Sequence, residues 1–77
     1  MEEHEIKKFT GQWLKVKRVA KGLSQQQLST KVGRKETWYT DIERGRSNIS
    51  WKDLIKLSEI LDFDIIELKQ YLDNLDK

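Results

Sequence analysis

The run Arg34-Lys35-Glu36-Thr37-Trp38 holds the side chains best suited to chemistry in this chain. The chemistry they suit is recognition of base-pair edges. Lys35 can donate to guanine, Glu36 can accept from the cytosine amino group, and Thr37 offers a hydroxyl and a methyl that match thymine. Asp41 follows Thr37 by one helical turn, on the same face, where it can reach a further cytosine or orient Lys35. Trp38 either lays its indole on a nucleic-acid backbone or packs on the preceding helix, while the spacing to Ile42 makes Tyr39 the buried neighbour. Arg44, Arg46, Ser47 and Asn48 come next and suit a sugar–phosphate wall. Lys31, Arg34 and Lys52 are less specific candidates for the same role. The plain alternative is that these charges form a solvated helix surface.

Catalysis finds little to stand on. His4 is the single histidine and cysteine is absent, so neither a thiolate site nor a histidine pair for a metal can form. No glycine-rich phosphate loop or nucleophile elbow occurs. The carboxylates are scattered over predicted helix surfaces. The expectation is a non-enzyme with no cofactor, no metal and no small-molecule ligand.

Charge is distributed unevenly along the 77 residues. In residues 10–61, eleven Lys and Arg stand against five Asp and Glu, a surplus of six. Residues 1–9 carry −1 and residues 62–77 carry −3, leaving a net +2. A basic middle between acidic ends suits a polyanion on one face and something else on another. Such a length allows one domain with a modest core, so a second copy is a natural stabiliser. No apolar run approaches the length that spans a bilayer, and MEEHEIKK lacks the basic-then-apolar order of a signal peptide. The expected location is the cytoplasm.

Helices must position the reading residues, and the punctuation for them is clear. Proline is absent, and Gly22, Gly33 and Gly45 recur at the length of a short helix plus its stop. A first helix is predicted from about Glu5 to Lys21, with Ile6, Phe9, Trp13, Val16 and Ala20 as its buried stripe. Gly11 weakens that helix by roughly 1 kcal/mol relative to Ala, which allows a start after it. Ser24 with Gln27 forms a capping box for a second helix that stops at Gly33. A third runs from about Lys35 to Arg44. A fourth is capped by Ser50, has Asp53 in its first turn and buries Leu54, Leu57 and Leu61. Asp64 and Glu67 box the start of a fifth. The fold class is all-α. Trp13 is assigned to the core, and Trp51 is packed or partner-facing.

Gly22-Leu23-Ser24-Gln25, Leu28, Gly33, Ile42-Glu43-Arg44-Gly45 and Asn48-Ile49-Ser50 together resemble the Cro/repressor helix-turn-helix family, also called the Xre family. The stretch from Trp38 to Ser50 is especially similar to the controller proteins of restriction–modification systems. The likeness spans roughly residues 9–72. It implies a five-helix, lambda-repressor-like domain whose helix-turn-helix covers about residues 24–44, and whose second helix enters the major groove of double-stranded DNA. Base reading is then expected at Glu36 and Thr37, with Lys35 beside them. Gln25 takes the family's backbone-clamping position. Arg18 and Glu43 are implied as a structural ion pair that locks the reading helix to the first helix.

The resemblance also implies a two-fold dimer through the last helix, about residues 64–75. Ile65, Leu68, Tyr71, Leu72 and Leu75 are its interface candidates; Leu68 is also needed by the monomer core, but one small domain does not use all the rest. The expected function is transcription regulation by a homodimer on a palindromic operator, as a controller protein or phage-type repressor. The rival reading is an antitoxin that covers a toxin with its last helix, although the few residues after Leu72 leave little room for a wrapping tail. A membrane-surface helix is weaker still, because acids rather than lysines flank the apolar stripe.

Overall fold

The computed structural model describes residues 1–76, and five helices account for most of them. They are α1 (Glu3–Ala20), α2 (Gln25–Val32), α3 (Glu36–Glu43), α4 (Trp51–Leu61) and α5 (Ile65–Leu75). Among the described residues there is no strand. The starts follow from capping chemistry, which satisfies backbone N–H groups that have no partner inside the helix. Ser24 Oγ accepts from Gln27 N at 3.0 Å, and Gln27 Oε1 accepts from Ser24 N at 2.8 Å. Ser50 Oγ accepts from Asp53 N at 3.2 Å. Asp64 Oδ1 takes the Ile66 N–H at 3.0 Å while Glu67 Oε1 takes the Asp64 N–H at 3.1 Å. Asp62, left-handed at φ 60°, ends α4.

The core is drawn from every helix. Leu14 of α1, Leu28 and Val32 of α2, Tyr39 and Ile42 of α3, and Leu57 and Leu61 of α4 are buried together with Phe63 of the α4–α5 turn. Trp13 packs its ring edge-on against Phe63, with centroids 4.6 Å apart, and is only half-buried, with Lys17 Nζ 5.0 Å from its ring centre. Leu68 of α5 closes the core at 5% exposure.

Helix α1 differs from the sequence expectation in both extent and orientation. It begins two residues earlier than expected and runs unbroken through Gly11. Its inward positions are Gly11, Leu14 and Arg18, whereas Val16 is 67% exposed and Ile6 and Ala20 also face outward. Of the expected apolar stripe, Trp13 packs against the core and Phe9 is half-buried, but the fully buried positions are Gly11 and Leu14, with Arg18 turned inward beside them. Gly11 is there because the α1 backbone passes directly over the end of α3. A Cβ at this position would collide with the backbone carbonyls of Ile42 and Glu43, the latter at 2.5 Å. The glycine that weakens the helix in isolation is what allows its closest tertiary contact.

Backbone atoms cannot swing aside as a side chain can. Gly11→Ala is therefore expected to lower unfolding free energy by about 2 kcal/mol. Gln12→Ala, one residue on and exposed, should change it by less than about 0.5 kcal/mol. Urea denaturation of the two variants measures both. Equal effects would remove the proposed role of the close approach.

Candidate nucleic-acid interface

Helices α2 and α3 are joined by a short turn that depends on Gly33, whose φ of +85° is reached without strain only by glycine. Arg34 N donates to Ser29 O at 2.9 Å, which carries the chain back across the end of α2. Helix α3 then divides its residues by side. Tyr39 and Ile42 are buried, while Glu36 and Thr37 are exposed at the first turn, with Lys35 exposed at the N-cap position just before them. An ammonium has no acceptor with which to cap a helix start, and Lys35 makes no side-chain hydrogen bond or ion pair among the described residues. These three side chains therefore project together from the free end of α3. Asp41 and Trp38 are half-buried along its flank, and Arg44 caps the other end, exposed.

The ion pairs are placed with equal selectivity. Lys17, Lys21 and Lys69 pair with acids of the α4–α5 turn and α5. Lys31, Lys35, Arg44, Arg46 and Lys52, all exposed, have no acidic partner among the described residues. Lys7, Lys8 and Lys15 of α1 and Lys56 of α4 are likewise without an acidic partner, so what marks α3 and its flanking turns is that Lys35, Arg44 and Arg46 stand open beside the exposed first turn, where a polyanion could be met.

Behind this face, Arg18 and Glu43 tie α1 to the end of α3. Arg18 Nε donates to Glu43 Oε2 at 2.6 Å and Nη2 donates to Oε1 at 3.3 Å, with the side chains only 11% and 4% exposed. Arg18 Nη1 also donates to Leu23 O at 2.7 Å, so one guanidinium holds α1, the α1–α2 turn and α3. Gln25 Nε2 adds a third helix by donating to Glu43 Oε1 at 3.2 Å. The Gln25 side chain is therefore half-buried and tethered inward rather than free at the surface, and what it leaves for an anion is the backbone N–H at the start of α2. Burial alone would raise the Glu43 carboxyl. The hydrogen bond from Arg18 leads the opposing effects and, with Tyr39 and Gln25, holds it below the usual glutamate range. Burial likewise pushes the Tyr39 phenol up, and its hydroxyl lies against the pair without a well-directed hydrogen bond of its own.

Several positions read from the sequence sit differently from expectation. Trp38 neither lies flat on the surface nor enters the core fully. It packs on the core edge with Arg34 above it, the guanidinium carbon 5.3 Å from the ring centre. Ser47 and Asn48 line a cavity of about 230 Å³ beside Ile6 and Leu72, and the Asn48 amide donates to Glu3 Oε1 at 3.2 Å. Arg46 stands free in the same turn. Leu68 belongs to the monomer core and leaves the set of interface candidates; Ile65, Tyr71 and Leu72 are half-buried, and Leu75 is exposed. Trp51 is exposed. One arrangement had no sequence signal: Arg34 reaches across to a buried Asp53. The Ser50-x-x-Asp53 spacing marks Asp53 as a first-turn residue but does not show that it is enclosed.

Among the described residues, no group of three or more His, Cys, Asp or Glu could hold a metal ion, and no helix is long and apolar enough to cross a membrane. The family profile of the helix-turn-helix domain matches residues 11–70. The crystal structure of the restriction-modification controller protein C.AhdI from Aeromonas hydrophila is similar over 88% of this chain and 99% of that one, at a TM-score of 0.80 and 34% identity. No curated protein sequence matches.

The ion pair behind the reading face predicts a pH signature. Because Glu43 binds its proton less readily when folded, its contribution is present above the unfolded glutamate range and is lost as pH falls through the folded value. Glu43→Gln is expected to cost about 3 kcal/mol at neutral pH, since it leaves a largely buried guanidinium without its counter-charge. The gap between wild type and variant should narrow below about pH 4 in a urea-melt series. A gap that does not change with pH would refute the ionic character of the contact.

Proposed function

The chain belongs to the Cro/repressor (Xre) helix-turn-helix family of DNA-binding regulators, and we propose that it acts as a homodimer on a palindromic operator, reading sequence with the first turn of α3. The observation that carries this reading is the pairing of an exposed Lys35-Glu36-Thr37 turn with cations left unpaired around it. Glu36 and Thr37 supply selectivity. A carboxylate is tolerated against a polyanion only where a cytosine amino group receives it, so Glu36 acts as much by rejecting wrong bases as by binding the right one. Arg44 and Arg46 supply sequence-independent attraction to the backbone, and the start of α2 at Gln25 meets the opposite phosphate wall through its backbone N–H groups, with the side chain holding that helix end to Glu43. Ser47 and Asn48 lie beside Arg46 on that approach.

Affinity also comes from pairing two copies. The outer side of α5, with Ile65, Tyr71, Leu72 and Leu75, is the proposed two-fold interface. It would set two reading helices about one turn of B-DNA apart. Occupying a promoter-proximal site in the cytoplasm then blocks or recruits polymerase according to its position. The likeness to a restriction-modification controller protein supports that class of regulator, with a phage-type repressor as the neighbouring possibility.

Selection of bound duplexes from a random library should enrich a palindrome, and affinity for it should fall steeply with salt. Glu36→Ala and Thr37→Ala are expected to relax preference at their own positions, each by about 1–3 kcal/mol. Arg46→Ala should weaken operator and scrambled duplex alike. In sedimentation, Leu75→Glu should shift the chain towards monomer. No enriched palindrome together with salt-insensitive binding would defeat the proposal.

A further inference from the structure

We propose that Arg34 is a phosphate-contacting arm of the DNA-binding face, with Asp53 and Trp38 as its positioning residues. This rests on the reading of the chain as a duplex-binding regulator. Arg34 occupies the α2–α3 turn, between Gly33 and the Lys35 cap. Its Nη2 donates to Asp53 Oδ2 at 2.8 Å, and the same oxygen accepts from Ser50 Oγ at 2.9 Å. Asp53 is 2% exposed at the first turn of α4, whereas the Arg34 side chain is 48% exposed. Its guanidinium also lies over Trp38, 5.3 Å from the ring centre. One end of the arginine is therefore anchored in the protein while the rest remains in water.

That asymmetry is what points to a ligand. A guanidinium carries five N–H donors. The bond to Asp53 is the one side-chain hydrogen bond Arg34 makes among the described residues, so most of its donors are unspent. The carboxylate that holds it is enclosed, so an approaching anion meets the guanidinium rather than the acid. Stacking on the indole and pairing with Asp53 both restrict the rotamers of a long side chain. Arginine ordered in advance loses less entropy when it binds. A planar donor fork held this way matches the oxygens of a phosphodiester. Arg34 precedes the α3 cap, outside the helical turn that carries Glu36 and Thr37, and so serves the backbone rather than a base edge.

Trp38 thereby acquires a role as a platform beneath a charged contact. Tethering through Asp53 also links the α2–α3 turn to α4, so the arm is fixed to the scaffold as well as to the reading helix.

The test uses the full chain and the selected operator duplex, with affinity measured across a salt series. Arg34→Gln keeps a hydrogen-bond donor for Asp53 but removes the charge. It is expected to lower the slope of log affinity against log salt by about one for each bound copy, on operator and scrambled duplex equally. Asp53→Asn should weaken binding while leaving the slope near wild type, because the charge remains but is no longer held. Thermal melts establish that each variant is folded, and Arg34→Lys, which keeps charge and pair, covers the case in which Arg34→Gln is not. Its slope should stay at the wild-type value while affinity falls through loss of the fork. A folded Arg34→Gln with unchanged slope, or an Arg34→Lys indistinguishable from wild type, overturns the proposal. Failure of the wild-type chain to bind any duplex would instead overturn the regulator reading beneath it.

Discussion

Everything that the reading helix does depends on where Arg18 meets Glu43. Helices α2 and α3 have eight residues each and share Leu28, Val32, Tyr39 and Ile42 in the core, so polar ties outside that core add to what sets their angle. The guanidinium of Arg18 is the first of these ties, bonding Glu43 at the end of α3 and Leu23 in the turn before α2. Gln25 completes the arrangement from α2. A contact of this kind is more directional than apolar packing, because the planar fork accepts its partners from few angles. Gly11 acts on the same joint from the backbone side, letting α1 lie almost on the last carbonyls of α3. One polar tie and one missing Cβ thus set the orientation of α3 relative to the scaffold.

The elements were legible because capping is local. Ser24 with Gln27, Ser50, and Asp64 with Glu67 mark three helix starts from spacing alone, and Gly33 and Gly45 mark two stops. The exposed turn of α3 was legible for the same reason, since Tyr39 and Ile42 claim one side and leave Glu36 and Thr37 on the other. The family resemblance made the Arg18–Glu43 tie legible across 25 residues, but most of what else is decided by a neighbour distant in sequence could not be read. The inward side of α1 is disguised because Gly11 and Arg18 occupy it, and their value lies in atoms of residues 42 and 43. The α5 stripe was legible in part, since Leu68 is the residue the monomer core needs and Leu75 stays at the surface. The enclosure of Asp53 was not. A first-turn aspartate is ordinarily a solvated helix cap, and nothing nearby in sequence says that Arg34 will cover it.

The distribution of paired and unpaired charge adds a second layer of organisation. Lysines near α5 and the turn before it find acids, which blunts the field on that side, while the cations around α3 are left open. Near-neutral overall charge therefore conceals an uneven distribution, a surplus of six positive charges in residues 10–61 between acidic ends. Local field, rather than the net +2, determines how a polyanion approaches.

The division of α3 into an inward and an outward side has a further consequence. Tyr39 and Ile42 answer to the scaffold; Glu36 and Thr37 are exposed and carry no ion pair among the described residues. Folding and recognition are thus written in different letters of the same eight-residue word. A duplicated copy of the gene could exchange the outward letters, acquire a different operator, and inherit the parent's stability intact. Such a fold diversifies its targets faster than its structure, because the two kinds of selection act on different residues.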